Sequence, residues 1–242
     1  MHVWTMMSPK GGAGKTTLAL VLAGEIARRG KHVTLIDADP NTPLALWAAQ
    51  ENKPDNIDVV VDDDPDGGQL AGLIKDARAQ SEYVLIDTEG TANIRADRAV
   101  RRSHFVIVPC QSSTLDLREA GKAVRFIQEC ADDRGSEIPH VIVRTRMPPA
   151  IVDRNEKMIS GRLTKSGFPV CMTQMVDRSA YRAMMSYGMT LDGLEPKHTA
   201  GLDKAREEAD RLLHNIVGEY RGQVEVLMQR EEQAKEAKAN VG

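Results

Sequence analysis

One α/β domain, with a mostly parallel twisted sheet and helices on both faces, is the fold this sequence predicts. Three observations predict it. Short apolar runs rich in β-branched residues recur at Val3–Met7, His32–Ile36, Tyr83–Ile86, Phe105–Pro109 and Val141–Val143. Between them lie segments whose apolar residues return at three- and four-residue steps, the helical period. Several of the short runs end on Asp or on a Gly-rich turn, the place where open α/β sheets bind ligands. With 242 residues and 41% hydrophobic content the chain can bury a sizeable core. No internal repeat or linker divides it: residues 1–222 read as one domain and 223–242 as a charged helical tail.

The first run feeds Lys10-Gly11-Gly12-Ala13-Gly14-Lys15-Thr16-Thr17. A strand entering a Gly-rich turn that opens a helix aims backbone N–H groups and the helix's positive end at one point, where anionic phosphates belong. Glycines at 11, 12 and 14 are expected to supply positive φ and close backbone approach. Lys15 can reach terminal phosphates and the Thr16 hydroxyl can ligate Mg²⁺. Counted from Gly11, the box is two residues shorter than G-x-x-x-x-G-K-[ST]; Pro9 or Ser8 can fill the opening position. A helix follows from Thr16 to Arg29, with Gly30 suited to its C-cap.

The second strand delivers Asp37-Ala38-Asp39-Pro40. Carboxylates beside a triphosphate repel it unless a cation or polarised water lies between them. A short helix from Pro43 to Gln50 should pack Trp47, a strand is expected over Asn56–Val61, and Asp62-Asp63-Asp64-Pro65-Asp66 reads as a solvated acidic turn. A helix from Gly68 to Gln80 leads to the third carboxylate, in Asp87-Thr88-Glu89-Gly90 at a strand tip. Asp87 is placed to accept hydrogen bonds from Mg²⁺-bound water, and Glu89–Asn93 to sense a terminal phosphate. Gln111 to Leu117 precedes a helix with Ala120, Ala123, Val124 and Ile127 on one face. Helices are expected over 151–166 and Ser179–Tyr187, and a long amphipathic one carries Leu202, Ala205, Ala209, Leu212, Leu213, Ile216 and Val217.

Lys-Gly-Gly-x-Gly-Lys-Thr-Thr resembles the deviant Walker A box of the ParA/MinD family of ATPases. The likeness continues through Asp37-Ala38-Asp39-Pro40, through Pro109-x-Gln111-x-Ser113-x-Leu115-Asp116, and through Asp177-Arg178 to Gly188-x-Thr190. It spans Lys10 to about Ala209. It implies a weak, partner-stimulated ATPase that binds ATP and Mg²⁺ as a nucleotide-sandwich dimer, with Lys10 reaching the partner's phosphates. Asp39 would position the attacking water, and Thr16, Asp37 and Asp87 would hold or support the metal. Where relatives offer an Asn for adenine, this chain has Arg144-Thr145-Arg146-Met147-Pro148-Pro149, so adenine is implied by the family alone. The same resemblance implies non-specific DNA binding, a ParB-like or relaxosome adaptor protein as partner, and a nucleoid-associated place in the cytoplasm. Asp37 to Trp47 and Arg146 to Pro149 also look like ParA relatives that assist conjugative DNA transfer.

Charge and composition narrow the alternatives. Formal net charge is −3 and the pI is near 6.1, so DNA contact needs a local patch. Residues 151–182 set Arg154, Lys157, Arg162, Lys165, Arg178 and Arg182 against Asp153, Glu156 and Asp177, six charges against three and a surplus of +3. Those six cations are the candidate DNA contacts. Three unpaired cysteines, Cys110, Cys130 and Cys171, suit a reducing cytoplasm and offer no cluster-ligating pair for an iron–sulfur reductase. Lys10 argues against a dethiobiotin-synthetase-like ligase. A MinD-like membrane role would need a basic amphipathic tail, and Glu225, Glu231, Glu232 and Glu236 stand among the tail's lysines. No membrane span, leader or operator-reading extension is expected.

Overall fold

The computed structural model describes residues 2–149 and 154–239, with the backbone alone at 154–157, 160, 164 and 234–239. Among the described residues one six-stranded sheet is formed by β1 (His2–Met6), β2 (Val33–Ala38), β3 (Ile57–Val61), β4 (Tyr83–Thr88), β5 (Phe105–Cys110) and β6 (His140–Arg144). Its order is β3-β2-β4-β1-β5-β6, with every pairing parallel. Parallel strands need crossovers, and the crossover helices cover both faces. That is why Val3 to Met6 and all of β2 and β5 are buried.

Alternation along each strand assigns side chains to the two layers. Trp4, Met6, Val33, Leu35, Leu85, Phe105 and Ile107 pack under α1 (Lys15–Arg28) and α2 (Pro43–Ala48), with later helices α7 (Ser179–Tyr187) and α8 (Leu202–Ala239). On the other face, Val3, Ile36, Val84 and Ile86 meet α3 (Leu70–Gln80) and α4 (Ile94–Arg102), while Val106, Val108 and Ile142 meet α5 (Thr114–Arg134) and α6 (Arg154–Lys165). Trp47 is fully buried between α2 and α7, and its Nε1–H donates to the Met189 carbonyl at 3.3 Å.

Edges are closed locally. After α6 the chain returns beside β6: Cys171 donates to the Ile142 carbonyl at 2.9 Å and Met175 to the Arg144 carbonyl at 2.7 Å. At the strand's start, Gln223 of α8 brackets His140 with one accepted and one donated backbone bond, at 3.0 and 2.9 Å. Gly222, where the sequence suggested a boundary, lies inside α8 without interrupting it, and past that point the helix is mostly exposed.

One local expectation is corrected, and one helix is new. The charged stretch after Asn93 is a helix, α4, capped by the Asn93 side chain accepting from Ala96 N–H at 2.9 Å. Only Ala96, Ala99 and Val100 form its apolar stripe, too narrow to stand out among four arginines. Asp62 is not solvated: it is 2% exposed and faces the buried Arg95. The opening residues 151–153 of the helix expected over 151–166 lie outside the described residues.

Truncating Trp47 removes the largest side chain at the α2–α7 junction and the donor to the Met189 carbonyl. Trp47→Ala should lower the unfolding free energy by about 3–5 kcal/mol in urea denaturation. A loss under about 1 kcal/mol would contradict this packing.

Candidate nucleotide site

β1 ends between its neighbours β4 and β5, so residues 8–14 emerge at the carboxyl edge of the sheet, at the reversal of strand order. Gly14 is the N-cap of α1 at φ 97°, and Gly12 sits at φ 73°. Gly11 is absent from the left-handed residues, and a Cβ there would meet open space, which corrects the expectation for it. A Cβ on Gly90 would lie 2.5 Å from Gly11 N, so the segment after β4 rests directly on the loop. Two side chains from the adjoining strand ends hold loop carbonyls: Gln111 Nε2–H donates to Gly12 O at 2.6 Å and Thr145 Oγ1–H to Ala13 O at 2.7 Å.

Inside this cradle Lys15 is 6% exposed, and its Nζ donates to the Lys10 carbonyl at 3.4 Å. Burial lowers its pKa, against the pull of Asp87, Asp39 and Glu89. A buried ammonium with so weak a partner is suited to an anion. Lys10 lies apart from it, 34% exposed, ion-paired at 2.5 Å with the buried Asp116 of α5.

Three sequence-predicted carboxylates gather here with distinct environments. Asp87 is fully buried; its Oδ2 accepts from Thr16 Oγ1 at 2.5 Å, while its Oδ1 has no hydrogen-bond partner among the described residues. Asp37 lies beside it in register across β2 and β4, but its Oδ2 accepts from Leu44 and Ala45 N–H at 2.7 and 3.0 Å. Its first duty is to cap α2, which leaves Oδ1 toward the Asp39 N–H at 3.4 Å. Asp39 is half-buried, its Oδ1 held by the Asn41 N–H and side-chain amide at 2.9 Å each. Glu89 accepts from Thr91 Oγ1 at 2.6 Å and from the Asn93 side chain.

The residues fit Mg²⁺. A threonine hydroxyl touches a buried carboxylate that has an orphaned oxygen, the donor set a hard cation takes through oxygen and water. Among the described residues no three His, Cys, Asp or Glu side chains could hold an ion alone, so phosphate oxygens would have to complete the shell. The three cysteines are buried and separate.

Beside Gly14 and Thr17 opens a cavity of about 360 Å³ lined by Thr145, Arg146, Met175, Asp177 and Met185. Arg146 stands at its rim at φ 51°, a conformation non-glycine residues seldom adopt. Its wall is fixed by Glu208, 3% exposed, which accepts from Val176 N–H at 2.9 Å, Tyr181 Oη at 2.7 Å and Arg178 Nη2 at 2.8 Å. Arg178 and Arg182, expected as free cations, are therefore engaged: the first with Glu208, the second with Asp177 beside this cavity. Arg162 and Lys165 of α6 are exposed. The side chains of Arg154 and Lys157 lie outside the described residues.

Burial pushes the Asp87 carboxyl up to about 7, opposed by Thr16 and Lys15. In the unfolded chain it ionises near ~4. Its contribution to folding is thus full below about pH 4 and lost as pH rises to about 7. Asp87→Asn should melt above wild type at pH 8 without nucleotide, with the difference shrinking toward pH 5. A variant that melts below wild type at pH 8 would contradict that sign.

A family model described as VirC1 protein matches residues 1–214. Protein ParA of Rhizobium radiobacter is 32% identical over 197 residues, 81% of this chain and 88% of its own. Protein virC1 of Rhizobium rhizogenes is 31% identical over 193 residues, 78% of this chain and 82% of its own. Among solved structures, apo McdA from Cyanothece superimposes with TM-score 0.67 over 88% of this chain and 99% of its own, at 16% identity. A Borrelia burgdorferi plasmid partition protein bound to AMPPNP gives 0.66 over 90% and 98%, also at 16% identity. These two speak for the fold. The chain belongs to the VirC1 protein family, together with its ParA relatives.

Proposed function

We propose that this chain is a ParA-type ATPase that binds ATP with Mg²⁺ as a nucleotide-sandwich dimer, binds DNA without sequence preference, and drives DNA partition or positioning. The observation that carries the reading is the meeting of Lys15, Thr16 and Asp87 at the end of β1, with the loop carbonyls pinned away by Gln111 and Thr145. Bound Mg²⁺-ATP would supply a phosphoryl group activated for transfer to water. Lys15 and the loop amides would hold its phosphates, Thr16 and Asp87 would orient the metal, and Asp39 would place the water. Asp37 supports this arrangement from behind through α2. The cavity beside Gly14 is suited to the base.

Lys10 is the candidate cross-subunit residue. In the single chain its charge is taken by Asp116. Reaching a second subunit means giving up that contact for phosphate, an exchange that a triphosphate favours more than a diphosphate. Cytoplasmic, nucleoid-associated turnover would be slow and raised by a ParB-like or relaxosome adaptor partner. Among the described residues no helix is long and apolar enough to cross a membrane. Accessory work in conjugative DNA transfer is the second reading, favoured by Asp37 to Trp47 and Arg146 to Pro149. DNA contact would fall on α6, through Arg162 and Lys165 with Arg154 and Lys157. Arg178 and Arg182 join it only by leaving Glu208 and Asp177.

The role split is tested by nucleotide titration and turnover. Lys15→Gln should weaken ATP binding by roughly 100-fold, about 2.7 kcal/mol. Asp39→Ala should bind within about threefold of wild type yet hydrolyse at least ~100-fold more slowly. Equal loss of binding in both would sink the assignment. For the dimer, light scattering with a non-hydrolysable ATP analogue should give twice the monomer mass for wild type and monomer for Lys10→Ala. Gel shifts with unrelated duplexes should need ATP, and contact with about six phosphates implies a roughly thousandfold affinity loss between about 50 and 200 mM salt. Binding indifferent to nucleotide and salt would remove DNA from the reading.

A further inference from the structure

Arg95, in the first turn of α4, is 4% exposed and belongs to none of the roles above. Its Nη1 donates to the Ala38 carbonyl at 2.9 Å and its Nη2 to the Asp64 carbonyl at 2.5 Å. Its Nε faces Asp62 Oδ2 at 3.9 Å, and neither that nitrogen nor the Asp62 carboxylate has a hydrogen-bond partner among the described residues. One guanidinium thus joins three segments: the end of β2, the acidic turn after β3, and the start of α4. The packing is close, since a Cβ on Gly67 would meet Arg95 Cγ at 3.0 Å.

What those segments carry gives the contact its meaning. Ala38 immediately precedes Asp39, so its carbonyl fixes the peptide plane from which the Asp39 side chain springs. α4 begins directly after the Glu89–Asn93 segment, whose Asn93 both caps the helix and donates to Glu89. Gly90 of the same segment lies on the phosphate loop. A cavity of about 300 Å³ beside Asp39 is bounded by Glu89, Asp62 and Arg95. Stability alone is a poor reason for burying this group. A buried ion pair contributes little net stability against apolar residues of the same volume, whereas a planar fork set on two backbone carbonyls fixes a geometry.

We propose that Arg95 is a positioning residue for hydrolysis: it holds the Ala38 carbonyl, and so Asp39, and transmits displacement of Glu89–Asn93 to Asp39 through α4. The inference rests on the ATPase reading, with Asp39 placing water.

Removing Arg95 alone would leave Asp62 charged and buried, so the test pairs Asp62→Asn with the double variant Asp62→Asn/Arg95→Met. Amide hydrogen exchange over residues 39–42 in the nucleotide-free proteins should be at least ~10-fold faster in the double variant than in Asp62→Asn. Unchanged exchange there overturns the clamp, whether or not the chain hydrolyses ATP. Turnover in Asp62→Asn should stay within about threefold of wild type. The double variant should bind a fluorescent ATP analogue within about threefold but lose at least ~10-fold in kcat. Loss of nucleotide affinity matching the loss of kcat, or wild-type kcat in the double variant, overturns the positioning role.

Discussion

The register of β4 between β1 and β2 is the constraint on which the site depends. Met6 pairs opposite Asp87 on one side and Asp37 opposite Asp87 on the other. Because side chains alternate across a strand, a slip of one residue would turn Asp87 to the opposite face and part it from Thr16. The apolar residues enforce the register: Leu85 must enter the core with Trp4 and Leu35, while Val84 and Ile86 enter the other with Val3 and Ile36. Core packing on both faces therefore aims the carboxylate at the first turn of α1. Stability and site geometry share one cause.

That placement concentrates charge to a degree burial alone would not tolerate. Asp87, Asp39 and Glu89 act on one buried ammonium, and desolvation raises the Asp87 and Asp37 carboxyls while lowering Lys15. Asp37 is relieved by the N-terminus of α2, where two backbone amides meet one oxygen. Among the described residues Asp87 accepts from only a threonine hydroxyl and keeps an unpartnered oxygen. An arrangement this poorly satisfied is a poor structural solution and a good cation site.

Much of this was legible in the sequence because the chemistry restricts the residue types. Phosphate approach demands glycine at 12 and 14, and the carboxylates at 37, 39 and 87 follow recognisable strands. The packing of Trp47 followed from its place on a short apolar helix. What escaped was set by partners remote in the chain. Glu208 lies thirty residues beyond Arg178 and neutralises it, and Asp116 captures Lys10 from α5. Composition counted those cations as free. The α4 helix was hidden by its arginines, although Asn93 and the spacing of Ala96, Ala99 and Val100 could have revealed it. Asp62 read as solvated because nothing local announces Arg95. Gly11 was assigned a left-handed backbone, whereas the position that excludes a Cβ is Gly90, packed against the Gly11 backbone from across the site.

Calorimetric titration of ATP with and without Mg²⁺, on wild type and on Thr16→Val, addresses the central claim that the Thr16–Asp87 contact marks the metal position beside the phosphates. The account predicts that Mg²⁺ tightens ATP binding at least ~10-fold in wild type, about 1.4 kcal/mol, and that this coupling disappears in Thr16→Val while metal-free binding persists. Equal coupling in both proteins would place the metal elsewhere and contradict it.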